Sequence, residues 1–452
     1  MKNSLSTPAS SEKENQLHHI VIVGGGAGGL ELATRLGDTL GRKKKAQITL
    51  IDSSRTHVWK PLLHEIAAGS MNPEKHELDY LAQAHWHHFR FRLGRMEGLN
   101  RAKREVMMAP YFDEDGVEVI ARRSFNYDTL IIAVGSTTND FGIKGAREHS
   151  IALDTQDQAE KFHRRLHNAL LRAHTQVEPV QAGQLEVVIV GAGATGVELS
   201  AELHNTTREL TAYGLDKIDP DRDIKISLIE ASDRVLPALP SKLSNAVDLE
   251  LRKLRVHLYM GERVTEVTEK GVHTHSGRFI PSALVVWAAG IKAPDFLKNI
   301  DGLETNRINQ LVVKRTLQTT IDDNIFAFGD CAACPWPGHG EATVPPRAQS
   351  AHQQASMLVK TVKLRVAKKG DLPEYTYRDY GSLVNLGRYS TVGSLMGALS
   401  GGSMFIEGLF ARMMYQSLYK MHLISLHGFF AVALQTIARM ITRRTEAQVK
   451  LH

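Results

Sequence analysis

Hydrophobic positions along this chain follow two rhythms. Short aliphatic runs stop abruptly at glycine, and longer stretches repeat every three to four residues. One run, Ile20, Val21, Ile22 and Val23, ends in Gly24, Gly25 and Gly26, after which Leu30, Leu32 and Ala33 open a helical pattern. The same succession returns at Val187, Val188, Ile189 and Val190, followed by Gly191 and Gly193 and a helix through Val197 and Leu199. Two more runs, at 128–134 and 324–328, stop at Gly135 and Gly329. Apolar runs of this length bounded by glycine read as buried strands, and their glycine ends mark places where backbone approaches a ligand.

The glycine spacing carries chemistry. In the first loop Gly24 permits a tight turn, Gly26 lets backbone approach a pyrophosphate, and Gly29 lets the helix pack close on the strand. Phosphate then sits at the helix N-terminus, where unpaired amides and the helix dipole favour negative charge. Gly191, Gly193 and Gly196 repeat the pattern. Such a loop alone serves ordinary turns as readily, so the acidic residue ending the next strand decides. Here Asp52 follows the run at 48–51 and Glu230 follows the run at 227–229. Each carboxylate is placed to accept hydrogen bonds from a ribose diol, and Glu230 would repel a 2′-phosphate, so NADH is expected over NADPH. Residues 205–223 lengthen the second crossover and read as an insertion. Two dinucleotide sites in one chain are explained most economically by a bound flavin beside an exchangeable nicotinamide.

Length adds that 452 residues exceed one compact core, so two or three domains are expected. A net charge of +6 favours an anionic surface, phospholipid or nucleic acid. No zinc-finger spacing or RNA-binding aromatic motif supports nucleic acid. With two cysteines, Cys331 and Cys334, a secreted disulfide framework is excluded and a reducing compartment is the default. The polar opening with Glu12, Lys13 and Glu14 is not the pattern of a signal peptide.

Over residues 20–387 these features resemble the two-dinucleotide-binding-domain flavoproteins of the glutathione-reductase-like fold. The resemblance implies an α/β protein with two Rossmann-like domains, the nucleotide unit inserted into the FAD unit. The expected division is 18–147 for the first part of the FAD domain, 148–298 for the NADH domain, 299–390 for the second FAD part and 391–452 for a membrane-anchoring segment. It further implies that Asp330 of the Gly329-Asp330 pair hydrogen-bonds the ribityl-pyrophosphate region of the flavin. Disulfide reductases of this fold carry a cysteine pair beside the flavin, but no cysteine lies between Asp52 and Gly69 or in the nucleotide unit. Thiol redox by that route is excluded. Cys331 and Cys334 have redox spacing, yet no second pair completes a zinc site, and they read as small thiols packed near the flavin loop. No metal is expected.

Residues 57–65 and 345–354 are similar to type II NADH dehydrogenase, the single-subunit NADH:quinone oxidoreductase. In that family an Ala-Gln-x-x-x-Gln stretch lines the quinone pocket, and Ala348, Gln349 and Gln353 match it. Gln349 and Gln353, four apart, share a helix face where amides could meet a quinone carbonyl. Their plain alternative is ordinary polar helix residues. The proline-marked start of that helix would direct unpaired amides at the pyrimidine side of the flavin. Glu198 matches a glutamate near nicotinamide and flavin, suited to position the nicotinamide or relay protons, or simply to complement the helix dipole. Lys60, in the first matching segment, joins the cofactor set, and Ala289 and Gly290 let backbone approach NADH.

After Gly401 and Gly402 the apolar residues Met404, Phe405, Ile406, Leu409, Phe410, Met413, Met414, Leu418 and Met421 recur at three- and four-residue steps, opposite Glu407, Arg412, Gln416 and Lys420. A second pattern sets Phe430, Ala433, Ile437, Met440 and Ile441 against Gln435, Arg439 and Arg443. Both read as amphipathic helices. The 18 residues from 421 to 438 lack Lys, Arg, Asp and Glu, but histidine, glycine and glutamine dilute them, so helices lying in the interface are expected rather than a span. A dimerisation or core-capping pair is the alternative.

The activity implied is FAD-dependent oxidation of NADH by two-site exchange, with two electrons passing to ubiquinone or menaquinone and no proton pumping. A homodimer held peripherally at the cytoplasmic face of the inner membrane is expected. The competing reading is a soluble NADH-dependent reductase of a ferredoxin-like or other protein acceptor.

Overall fold

The computed structural model describes residues 17–387, 390–396, 403–442 and 449. The chain opens with β1 (His18–Val23), α1 (Ala27–Leu36), β2 (Ala46–Asp52), α2 (Leu63–Ala68), β3 (Arg90–Leu93) and β4 (Thr129–Ile132). It continues through β5 (Ile151–Ala152), α3 (Gln156–Thr175), β6 (Glu186–Val190), α4 (Ala194–Ala212), β7 (Lys225–Glu230), β8 (His257–Met260) and β9 (Leu284–Trp287). It then returns in β10 (Ile325–Ala327) and α5 (Ala348–Ala367), and closes with β11 (Gly381–Leu386), β12 (Ser390–Met396), β13 (Ser403–Glu407), α6 (Gly408–His427) and α7 (Phe429–Thr442).

Two five-stranded parallel sheets form the frame, in the orders β10-β4-β1-β2-β3 and β5-β9-β6-β7-β8. Parallel sheets are covered on both faces, which is why their strands read as unbroken apolar runs. Ile20, Ile22, Leu50, Ile131 and Phe326 are buried in one core, and Val187, Ile189, Leu228 and Val286 in another. Each such side chain contributes roughly 1.5–3 kcal/mol. The first sheet takes its edge strand β10 from far downstream, so the chain leaves this unit and comes back to it. In both sheets the glycine loops lie at the carboxyl ends of β1 and β6, where open α/β sheets bind ligands.

Helix α3 joins the two units. Thr155 and Gln158 form a reciprocal capping box at its start, and Phe162, Leu166 and Leu170 are buried with Leu63 and Ile66 of α2. The insertion expected at 205–223 is partly helical, since α4 runs on to Ala212 before a loop tied by the Arg208–Asp221 and Arg222–Asp223 ion pairs.

A three-stranded sheet near the C-terminus, β11-β12-β13, is antiparallel and crosses the expected division at 390. It also corrects the helix expected after Gly402. Met404, Phe405 and Ile406 lie in β13, paired with β12, and the helix starts at Gly408. A few residues fit either period, and a neighbouring strand that accepts the ladder decides. Helix α6 is not free of the body: Ala411, Leu423 and Leu426 are buried, Leu426 in the core around β1. Helix α7 differs, with Phe430 at 87% and Ile441 at 73% exposure, and Leu434 and Ile437 also exposed. Of the polar positions expected on these helices, the side chains of Glu407, Arg412, Gln416 and Arg439, with Arg443, lie outside the described residues. Among the described residues no helix is long and apolar enough to cross a membrane.

Candidate active site

The two glycine loops are built alike. Gly24 has φ +105° and Gly191 φ +104°, a region open to glycine at no steric cost. The Gly24 amide donates to the Ile51 carbonyl at 2.8 Å, and the Gly191 amide to the Ile229 carbonyl at 2.7 Å. A Cβ on Gly29 would lie 1.9 Å from the Gly24 carbonyl oxygen, and one on Gly196 would lie 2.0 Å from that of Gly191. Gly26 and Gly193 face open space, with nothing among the described residues within 4 Å of an added Cβ. They are also the N-caps of α1 and α4, and neither helix has a side-chain cap. Each loop therefore offers uncapped amides beside a free volume, an anion-binding arrangement.

The acidic strand ends serve both loops in one way. Asp52 accepts the Gly25 amide at 2.6 Å and the Ser54 amide at 2.8 Å. Glu230 accepts the Ala192 amide at 2.8 Å and the Ser232 amide at 2.9 Å. Each carboxylate keeps lone pairs for a diol. Burial nonetheless raises the Asp52 carboxyl above its usual range, the backbone amides pulling the other way.

Lys60, Gly135 and Asp330, expected from three separate motifs, converge. Lys60 Nζ donates to the Ser136 carbonyl at 2.8 Å and lies 3.2 Å from Asp154, while the Ser136 hydroxyl donates to Asp330 at 2.8 Å. Gly135, at φ +69°, faces open space. Ala289 backs directly on Gly191, and Gly290 lies against the Phe141 ring.

Glu198 is buried where four elements meet. Its Oε1 accepts the Asn385 amide of β11 at 3.0 Å, its Oε2 lies 3.7 Å from His64 Nδ1 of α2, and it shares a hydrogen bond with Tyr415 of α6. Glu65, next to His64, is half-buried nearby. Burial, then the charges of neighbouring carboxylates, pushes both Glu65 and Glu198 up to about 8. Burial pushes His64 down to about 4, and among the described residues its Nε2 finds no hydrogen-bond partner. At neutral pH the pair of carboxyls holds protons and the imidazole does not.

The glutamines of α5 lie on one face, as expected, but their amides are engaged. Gln349 Nε2 donates to the Tyr377 hydroxyl at 2.8 Å and reaches Asp379 at 3.3 Å. Gln353 bonds both backbone groups of Arg378, at 2.8 and 3.0 Å. Together they hold the 377–381 segment against the helix. Ala348 is the first residue of α5, whose N-cap, Arg347, makes no side-chain cap.

Comparison with known proteins bears on this geometry. The pyridine nucleotide-disulphide oxidoreductase family model matches residues 18–355. The type II NADH:quinone oxidoreductase of Haemophilus influenzae is 41% identical over 448 residues, covering 96% of this chain and all of the relative. The chain belongs to the type II NADH:quinone oxidoreductases. The Staphylococcus aureus type II enzyme is 28% identical over 384 residues, 84% of this chain and 90% of its own. The solved NDH2 of Plasmodium falciparum in complex with NADH superposes with a TM-score of 0.78 over 96% of this chain and all of its own. At 19% identity it speaks for the fold.

In this type II family member the cysteine pair is inert in character. Cys331 and Cys334 are buried and unlinked, their Sγ atoms facing backbone carbonyls, and burial raises both thiols to about 12. Sequence reasoning missed His64, Glu65, Asn385 and Tyr415. His64 and Glu65 lay inside the matching 57–65 segment, but nothing local to Asn385 signals a partner 187 residues away, and Tyr415 lies farther still.

Proposed function

We propose that this type II enzyme oxidises NADH and reduces a membrane quinone, with FAD held on the first glycine loop and NADH on the second. The observation that carries the reading is the duplicated loop, in which an open middle glycine and an uncapped helix stand beside a carboxylate already tied to loop backbone. Gly24, Gly26, Gly29 and Asp52 would hold the adenosine diphosphate part of FAD, and Gly135, Lys60 and Asp330 its ribityl side. The uncapped start of α5, with Ala348 and Gln349, would face the flavin ring and favour negative charge there. When bound, FAD supplies an acceptor for hydride and a donor of two electrons to quinone. Gly191, Gly193, Gly196, Glu230, Ala289 and Gly290 would position NADH for this exchange at two sites.

NADH, quinone and one proton give NAD+ and quinol, so one proton per turnover must be delivered. Glu198 and Glu65, raised to about 8, hold that proton at neutral pH. Gln349 and Gln353 fix the 377–381 segment as a wall of the acceptor site, and they would reach a quinone carbonyl only by releasing Tyr377 or Arg378. Gln353→Ala removes both bonds to Arg378 and is expected to raise the KM for a ubiquinone analogue about tenfold, with the KM for NADH unchanged. Steady-state kinetics with each substrate varied in turn checks this.

Nucleotide choice follows from Glu230. Glu230→Ala removes the acceptor of two backbone amides and the charge that repels a 2′-phosphate. The KM for NADH is expected to rise about tenfold and the preference over NADPH to shrink by more, read from kcat/KM for the two donors.

No proton-pumping role is assigned, and the enzyme works as a peripheral protein at the cytoplasmic face of the inner membrane. Supporting the membrane contact, though not its side, is the exposed row Phe430, Leu434, Ile437 and Ile441, spaced by four, three and four residues on α7. A second copy or a protein acceptor would also cover such a face, and vesicles separate the cases. Phe430→Ser with Ile437→Ser is expected to weaken flotation with anionic phospholipid vesicles at least about tenfold while flavin content stays unchanged. Deleting everything after Gly401 would not test this cleanly, because α6 contributes Leu426 to the core around β1.

A further inference from the structure

The C-terminal helix reaches the first glycine loop through two histidines. His57 Nδ1 lies 3.0 Å from the Gly25 carbonyl oxygen, which can only accept, so that nitrogen carries the proton. His57 Nε2 is then a lone pair in the neutral ring. It lies 3.0 Å from Nε2 of His422 on α6, which must be the donating nitrogen. Both side chains are buried. At the end of this chain Gly25 is held through both its flanking peptides: its carbonyl also accepts the Tyr80 hydroxyl at 2.7 Å, and its amide donates to Asp52 at 2.6 Å.

The contact sits inside an aromatic clamp. The Trp59 ring stacks on His422 with centroids 6.0 Å apart at 15° and packs on Tyr419 at 5.4 Å. Tyr419 in turn meets His76 at 3.4 Å. The other titratable neighbours that act on His422 are His352 of α5 and His427 of its own helix. Burial keeps His57 neutral down to about 4 and His422 neutral well below its usual range, so the tautomers deduced above hold throughout the neutral range.

We propose that His422 is a positioning residue for the flavin nucleotide: the docked C-terminal helix fixes His57, and His57 fixes the Gly25 peptide that the FAD pyrophosphate meets. Retention of FAD is thereby coupled to the seating of α6, whose Leu426 is buried in the core around β1. The inference rests on the assignment of the first loop to FAD.

The test uses full-length holoenzyme and follows the rise in flavin fluorescence as FAD leaves after dilution. His422→Phe keeps the ring volume and the Trp59 stack but leaves the His57 lone pair without its donor. FAD release is expected to be about tenfold faster. His422→Gln, whose side-chain amide can donate to the same nitrogen, is expected to release FAD within about twofold of the unaltered protein. His57→Phe is expected to match His422→Phe, and the double variant to be no faster than either single one, because both act along one chain of bonds. Unchanged release in His422→Phe, equal acceleration in the Phe and Gln variants, or additive effects of His57→Phe and His422→Phe would each overturn the proposal. Unaltered protein that carries no flavin would instead overturn the assignment of the first loop.

Discussion

Gly29→Ala is expected to yield protein without bound flavin, with NADH:quinone activity reduced at least about 100-fold. The added methyl would lie 1.9 Å from the Gly24 carbonyl oxygen and 3.0 Å from its carbon, and both are backbone atoms that cannot rotate aside. Gly24 is pinned in turn by its own bond to Ile51 and by Ala133, whose carbonyl oxygen would be 2.2 Å from a Cβ on Gly24. Relief therefore has to come from moving the start of α1, and with it the uncapped amides meant for phosphate. Overpacking of this kind costs about 1–3 kcal/mol even in adaptable cores. Gly196→Ala makes the same clash with Gly191 at 2.0 Å. That variant is expected to keep its flavin while the KM for NADH rises at least tenfold. The flavin-to-protein ratio from the visible spectrum, measured for both variants, separates the two loops.

The second large effect is expected for Glu198→Gln, with turnover to quinone lowered about 100-fold at neutral pH, the range in which acid–base groups act. Raised to about 8 by burial and neighbouring carboxylates, Glu198 is protonated at pH 7 and loses that proton as pH rises through its folded value. The unaltered enzyme should therefore slow above about pH 8, and the variant should show a flatter profile. Stability has a definite sign as well. The folded carboxyl binds its proton more tightly than the unfolded one, whose ordinary value is 4.5. Its contribution is complete below that value and is lost as pH rises from there to about 8. Thermal melts across that window should fall less steeply for Glu198→Gln than for the unaltered protein. A profile identical in both proteins would remove Glu198 from the proton path.

Features encoded locally were legible in the sequence. The two glycine loops and the glycine ends at Gly135 and Gly329 are backbone constraints written in a few consecutive residues, and Asp52 and Glu230 close the next strand of the sheet, 27 and 38 residues from the loop amides they accept. Their geometry follows from turn sterics whatever surrounds them. The convergence of Lys60, Gly135 and Asp330 was implied only by family resemblance, since it depends on β10 returning beside β4. Tertiary partners of single side chains were not legible. Gln349 and Gln353 match the acceptor motif, yet the hydrogen bonds they make are to Tyr377, Asp379 and Arg378, which no helical spacing predicts. The strand at Ser403–Glu407 failed for a related reason. Its few apolar residues satisfy a helical step as well as a strand, and the hairpin partner that decides between them is a separate element. Likewise His422 reads as a polar interruption in an apolar helix until the fold places it on His57.

The central claim is that two nucleotides meet on this chain, FAD fixed and NADH exchangeable. An anaerobic titration of the purified full-length protein tests it most directly. The account predicts a yellow protein whose visible absorbance bleaches on addition of one equivalent of NADH, hardly responds to NADPH, and returns when a ubiquinone analogue is added. A folded but colourless protein, or a yellow one whose absorbance persists under excess NADH without oxygen, would contradict it.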